Sequence, residues 1–341
     1  LKANGITHIK EVIIDDSYFT ELAVNPTWEW SDLPAYYAVP VNSLILDQNV
    51  VTLTLSPTEI GQPAEVKWSD NIAASQWQLD NQLITAAAET PYQGRLSQQY
   101  GTTKLQLKGQ IAMDANADIW ALSIPDPVQY VVDKVELILL EDRITVGKKT
   151  VSKTSSVNLE NIEPFTTILS PPLADIIRTT NQDSNNLFAE SLRHTLISET
   201  VNIPETLTNL GIDSANYRLR DGSGLSRHNL ATPMTFVDIL DTMAEHPEAD
   251  VYKKSLAIAA TSGTLSRRFQ DTPVAGQFFG KTGTMTNVGG LSGYLNLDGD
   301  RPVALSILVN QSEQPASVTR RGIDDVVGAI YEWGECRGDR P

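Results

Sequence analysis

Histidine, cysteine and basic residues are all scarce in this chain of 341 residues, and each scarcity removes a class of chemistry. The only cysteine, Cys336, can close no disulfide within the chain and stands near no ligand pair, so a disulfide framework and a thiolate-held metal are both excluded. That position supports an incidental thiol rather than a catalytic one. The four histidines, His8, His194, His228 and His246, never fall at H-x-H or H-x-x-x-H spacing, which disfavours a zinc peptidase; no metal and no cofactor is expected. Lysine and arginine number 26 against 42 acidic residues, a formal charge of −16, and no basic cluster along the sequence offsets the repulsion a phosphate backbone would meet. Nucleic acid is therefore not an expected partner. Long apolar runs are missing as well: the best one, residues 131–140, carries charges and is too short for a membrane-spanning helix. Residues 1–16 lack the charged-then-apolar layout of a signal peptide, so no targeting segment reveals a compartment.

What is present is enough apolar residue, 41%, to fill more than one core. A chain of this length suits two domains, or three with one nested in another. The first third reads as strand-rich, with short β-prone runs at 12–14, 43–46, 50–55 and 104–108 between Pro, Gly and Asn signals. Residues 56–103 are polar with a weak pattern, as a small inserted domain would be. From Pro125 the texture changes: Pro127 can start a helix, and Val128, Val131, Val132, Val135 and Ile138 follow at helical spacing. A boundary is placed there, giving a β-rich region over 1–124, its inner part about 56–103, and a second domain over 125–341. Helices are expected at 173–180, 187–197 (with Leu187, Leu192 and Leu196 inward), 236–246, 251–260 and 323–333. Strands are expected at 291–297 and 303–309, joined by a turn at Asp298-Gly299-Asp300.

Two short motifs carry the chemical argument: Ser184-Asn185-Asn186, of the form S-x-N, and Lys281-Thr282-Gly283. Each has an ordinary alternative, Ser184 as a helix N-cap and Lys281 as an exposed strand lysine. Their joint context is what matters. Lys281 follows the aromatic pair Phe278-Phe279 and precedes Thr284 and a Gly-rich run, the setting of an edge strand able to pair with an extended peptide. Between the motifs lies Asp221-Gly222-Ser223-Gly224-Leu225-Ser226-Arg227. Its glycines are turn formers and its serines local caps, which favours a structural loop that sets Asp221, Ser223 and Arg227 near the cleft; a direct catalytic role for Ser223 or Arg227 stays open.

With these motifs, and with the stretch from Asp183 to Glu190, the chain resembles the D-alanyl-D-alanine carboxypeptidase/endopeptidase group of low-molecular-mass penicillin-binding proteins, those with large inserted domains. The resemblance covers essentially the whole chain. It implies an α/β (α+β) fold of the serine β-lactamase/penicillin-binding type, an antiparallel sheet flanked by helices with a β-rich inserted region. It also implies a hydrolase acting on peptidoglycan stem peptides outside the bacterial cytoplasmic membrane, in the periplasm where there is one, with beta-lactam antibiotics as covalent inhibitors of the complete enzyme. Ser184 would pass a proton to the departing amine, and Asn186 would hold the substrate amide. Lys281 and Thr282 would grip the terminal carboxylate, Gly283 would admit the substrate backbone, and the N–H of Thr284 would be one of two oxyanion donors.

One departure from that pattern is plain. No lysine has a serine three places upstream, so the S-x-x-K motif that carries the nucleophile in the family is absent; among the Thr-x-x-Lys forms, Thr145-x-x-Lys148 and Thr150-x-x-Lys153 lie in what reads as a surface turn and strand. The expectation is that the chain starts after that motif and is inactive alone. A catalytically dead homologue that binds cell-wall peptides or a protein partner is the competing reading, and a β-lactamase or esterase on the same fold is a third.

Overall fold

The computed structural model describes residues 1–154, 163–297 and 302–338. The chain divides into two compact units, Leu1–Glu163 and Pro164–Pro341.

The first unit contains β1 (His8–Asp15), β2 (Val50–Ser56), β3 (Glu65–Trp68), α1 (Asn71–Ser75), β4 (Gln78–Ala86), β5 (Arg95–Gln98), β6 (Lys104–Ala112), β7 (Asp118–Ser123), α2 (Pro127–Glu141) and β8 (Thr145–Ser152). They form three small sheets, ordered β1-β8, β3-β2-β7 and β4-β6-β5. Strand β2 shows why: its Val-Val-Thr-Leu-Thr-Leu alternation buries Val51, Leu53 and Leu55 on one face, where they meet Leu83, Leu105, Leu107 and Ile111. Trp77 closes this core and satisfies its indole N–H on the Ser123 carbonyl at 3.1 Å.

The weakly patterned residues 56–103 thus contain β3, α1, β4 and β5, while the run at 43–46 forms no strand. There Asn49 donates through its side-chain amide to the Pro40 carbonyl and to Asn42 Oδ1, so side-chain bonds to Asn take the place of a ladder. Helix α2 starts at Pro127 as its sequence requires, capped by Asp126, whose carboxylate accepts from the Gln129 N–H at 2.9 Å. The change of texture near Pro125 coincides with the start of α2, and α2 belongs to the first unit: Tyr130 is buried in the β2 core and donates its hydroxyl to Asp47.

The second unit contains α3 (Leu173–Gln182), α4 (Asn186–Ser198), α5 (Ile203–Asn209), β9 (Tyr217–Arg218), β10 (Leu230–Ala231), α6 (Pro233–Ala244), α7 (Ala249–Ser255), β11 (Ala257–Ile258), β12 (Phe278–Met285), β13 (Val288–Leu295), β14 (Val303–Val309) and α8 (Ala316–Gly338). Its main sheet is antiparallel, ordered β11-β12-β13-β14. Alternation along β13 sends Leu291 and Leu295 to the face covered by Ile323 and Val327 of α8. Tyr294 faces the other way, packs with Leu240 of α6 and Leu256, and donates its hydroxyl to the Leu240 carbonyl at 2.6 Å. The fold is therefore the mixed α/β arrangement expected, an antiparallel sheet between helices.

Two helix readings are corrected. The segment 251–260 is helical only to Ser255, because Ala257 and Ile258 are taken up as β11 against β12. On α4 the inward positions are Leu187, Glu190 and His194, while Leu196 is exposed; a buried acid and a buried histidine occupy what reads as an apolar stripe. The turn at Asp298-Gly299-Asp300 lies outside the described residues.

Candidate active site

The site is built at the junction of α3 and α4. Helix α3 ends at Gln182 with Asp183 as its C-cap, and the N–H of Asn185 returns to the Thr180 carbonyl at 3.2 Å, a Schellman closure with Ser184 at its left-handed position, φ 56°. Glycine is the usual occupant there, and a residue with a Cβ is strained by about 1 kcal/mol. Asn185, not Ser184, caps α4, accepting from the Phe188 N–H at 3.0 Å. The Ser184 hydroxyl is thereby released from the capping role that its sequence position allows, and Asn186 becomes the first residue of α4.

Fastenings at the end of α3 bring this junction to the sheet. Asn181 donates to Ser255 Oγ at 2.8 Å, and Gln182 to the carbonyls of Lys254 and Leu256 at 3.3 and 3.2 Å. Those acceptors lie just before β11, which pairs with β12 through Ala257–Gly280 and Ile258–Phe279. One residue further along β12, the Lys281 ammonium donates to Ser184 Oγ at 2.6 Å and to the Thr282 carbonyl at 2.6 Å. Burial lowers the Lys281 pKa to about 8.

Pairing with β11 stops at Gly280, so among the described residues the outer edge of β12 from Lys281 to Met285 has no neighbouring strand. The inner edge is fully paired with β13, Thr282 opposite Leu291 and Thr284 opposite Gly289. Gly283 and Thr284 are exposed, and a Cβ on Gly283 would meet nothing within 4 Å. An extended peptide can add to such an edge through main-chain hydrogen bonds.

The sequence reading missed Thr264. It sits in a 3-10 turn, Gly263–Leu265, and accepts the Thr282 hydroxyl at 2.8 Å, leaving its own proton for a further acceptor. Gly263 makes the placement possible: its φ is 54°, and a Cβ there would stand 2.4 Å from the Gln182 carbonyl oxygen. A sequence signal existed only in the Ser-Gly-Thr run itself.

The loop 221–227 is structurally organised. The Asp221 carboxylate accepts from the N–H groups of Gly224 and Ser226 at 2.9 and 2.5 Å and from the Asn229 amide at 2.6 Å. Ser223 gives its N–H to Glu190 at 2.8 Å. Arg227 donates to the Thr286 carbonyl at 3.1 Å, in the turn that follows Thr284 and Met285.

Two cavities of the second unit, the first bordering this strand, include neither Ser184 nor Lys281. One, of about 180 Å³, lies under the turn between β12 and β13 and is lined in part by Thr284, Asn287 and Ile323. The other, of about 480 Å³, is lined by Thr264 and by Arg267, Arg268, Arg320 and Arg321. The fold thus assembles, from two separate arginine pairs, a basic cluster that the linear sequence does not show; Arg268 is paired with Asp324.

A family model described as D-Ala-D-Ala carboxypeptidase 3 (S13) matches residues 1–329. The chain is 30% identical over 338 residues to the D-alanyl-D-alanine carboxypeptidase of Actinomadura sp. (strain R39), covering 92% of this chain and 62% of that protein. It is 24% identical over 325 residues to the D-alanyl-D-alanine carboxypeptidase DacB of Haemophilus influenzae, covering 91% and 67%. The chain thus spans about two thirds or less of the length of these relatives. Among solved structures it is similar to penicillin binding protein 4 (dacB) from Haemophilus influenzae, with a TM-score of 0.78, 22% identity, and coverage of 97% of this chain and 77% of that one.

Proposed function

The chain belongs to the D-Ala-D-Ala carboxypeptidase 3 (S13) family, and on that premise we propose that it is the greater part of a serine-type carboxypeptidase/endopeptidase acting on peptidoglycan stem peptides. The second unit carries the catalytic groove, the strand-rich residues 1–124 are an insertion, and the nucleophile belongs to a Ser-x-x-Lys segment outside these 341 residues. The substrate class places the enzyme outside the bacterial cytoplasmic membrane, and beta-lactams acylate the complete protein. A relative of 20% identity, the Haemophilus influenzae penicillin binding protein 4, has been solved in complex with a beta-lactam.

The observation that carries the reading is the Lys281–Ser184 hydrogen bond of 2.6 Å at the head of an unpaired strand edge. The terminal carboxylate of the substrate is drawn to the Lys281 ammonium and bonded by the Thr282 hydroxyl, whose proton turns to it from Thr264. The substrate backbone lies along the open edge at Gly283, with its reacting carbonyl oxygen toward the Thr284 N–H. Serine attack forms an ester with the penultimate D-alanine and breaks the C–N bond. Ser184 passes a proton to the departing amine, Asn186 holds the substrate amide, and water then cleaves the ester.

Labelling with a fluorescent penicillin followed by intact-mass measurement tests this, on residues 1–341 and on the protein extended upstream. An adduct on the extended protein alone is the expected result. An adduct on the short chain would misplace the nucleophile, and none on either would favour a binding protein without catalysis, a reading that the missing Ser-x-x-Lys keeps in contention.

A further inference from the structure

Glu190 is a buried acid that the chemistry above does not use. It lies one helical turn after Asn186 on the inward face of α4 and is only 1% exposed. Burial raises its pKa above the usual carboxylate range; a Ser223 side-chain bond opposes that shift and the Asp221 charge adds to it. An acid at a core position costs free energy that an apolar side chain would not, and hydrogen bonds must offset that cost.

Those bonds hold the loop. Glu190 Oε1 accepts from the N–H groups of Gly222 and Ser223 at 3.0 and 2.8 Å, and the loop lies so close on α4 that a Cβ on Gly222 would stand 2.8 Å from the Ala189 carbonyl oxygen. Beyond it the Asp221 carboxylate gathers Gly224, Ser226 and Asn229, and the chain then delivers Arg227 to the Thr286 carbonyl. A continuous set of bonds therefore runs from the first turns of α4 to the turn that ends β12.

We propose that Glu190 is a positioning residue that, through the 221–227 loop and Arg227, fixes the end of β12 relative to the α4 terminus bearing Asn186. It touches no substrate. It sets the separation between the two sides of the groove, so its loss lets Thr284 drift from the position the reaction requires. This inference rests on the proposed function for its kinetic reading.

The test uses the upstream-extended protein and compares Glu190→Ala, Glu190→Gln, Arg227→Ala and the Glu190→Ala/Arg227→Ala pair, each well below its own melting temperature. The readout is the second-order rate of acylation by penicillin. Glu190→Ala and Arg227→Ala each slow acylation at least about tenfold, within the roughly hundredfold that a 1 Å misplacement can cost. The double variant is no slower than the worse single one, because both act along one path. Glu190→Gln, which keeps the acceptor oxygen, recovers most of the rate. A lowered melting temperature with an unchanged acylation rate in the folded protein overturns the proposal, as do additive losses. If the unsubstituted extended protein does not acylate, the functional reading fails first, and amide exchange of residues 284–288 decides the linkage: faster exchange in Glu190→Ala supports it, and unchanged exchange overturns it.

Discussion

Ser184 Oγ and Lys281 Nζ, 97 residues apart in the chain, meet at 2.6 Å because the last turn of α3 is bolted to the residues that lead into β11. The serine pays for its place with a left-handed backbone, φ 56°. Strain at a position where glycine would be at ease implies that the hydroxyl is kept for chemistry.

Ser184→Gly should therefore stabilise the chain by about 1 kcal/mol while removing the hydroxyl proposed to relay the proton. Thermal melting and penicillin labelling of the upstream-extended protein check the two halves of that outcome. A fall in melting temperature would show that the hydroxyl contributes more to stability than its backbone costs.

Binding of a D-Ala-D-Ala peptide should weaken as pH rises through about 8, where Lys281 loses its charge in the free protein. Lys281→Arg keeps a charge there and should remove this alkaline decline, which calorimetric titration at several pH values would register. Stability runs the other way. The folded pKa lies below the 10.5 of a free lysine, so the unfolded chain holds the extra proton between the two, and unfolding free energy should rise with pH across that window. Lys281→Met should flatten the rise.

Thr264 is expected to share the carboxylate grip with Thr282. Thr264→Ser should retain peptide affinity, and Thr264→Val should lose about tenfold, the cost of one hydrogen bond to a charged group. A peptide ending in a carboxamide should not distinguish the two variants. Equal affinities for the acid in both would remove Thr264 from the site.

Gly263→Ala should destabilise the second unit by about 1–3 kcal/mol, because it combines a positive φ with a Cβ 2.4 Å from the Gln182 oxygen. Urea unfolding measures it. Little change would show that the turn can move away from α3.

Sequence periodicity was enough for β2, whose alternation is visible in Val51, Leu53 and Leu55, and for α2, announced by Pro127. It failed on α4, where Glu190 and His194 are buried, Glu190 because the loop supplies it with partners that no helical pattern encodes. It failed on 43–46 for the same reason, since Asn42 and Asn49 hold that segment through side-chain bonds. The motif residues Ser184, Lys281 and Thr282 are legible as a set. Thr264 is not, because its place depends on a glycine contact with a helix end far away in sequence. The four-arginine cavity is likewise a product of folding alone.

The parallel pairing of β1 with β8 has a bearing on how the chain is made. His8 stands opposite Thr145, 137 residues later, so β1 must wait through the synthesis of β2 to β7 for its partner. Those intervening sheets have every chance to fold first, and β1 finds its shelter only after them.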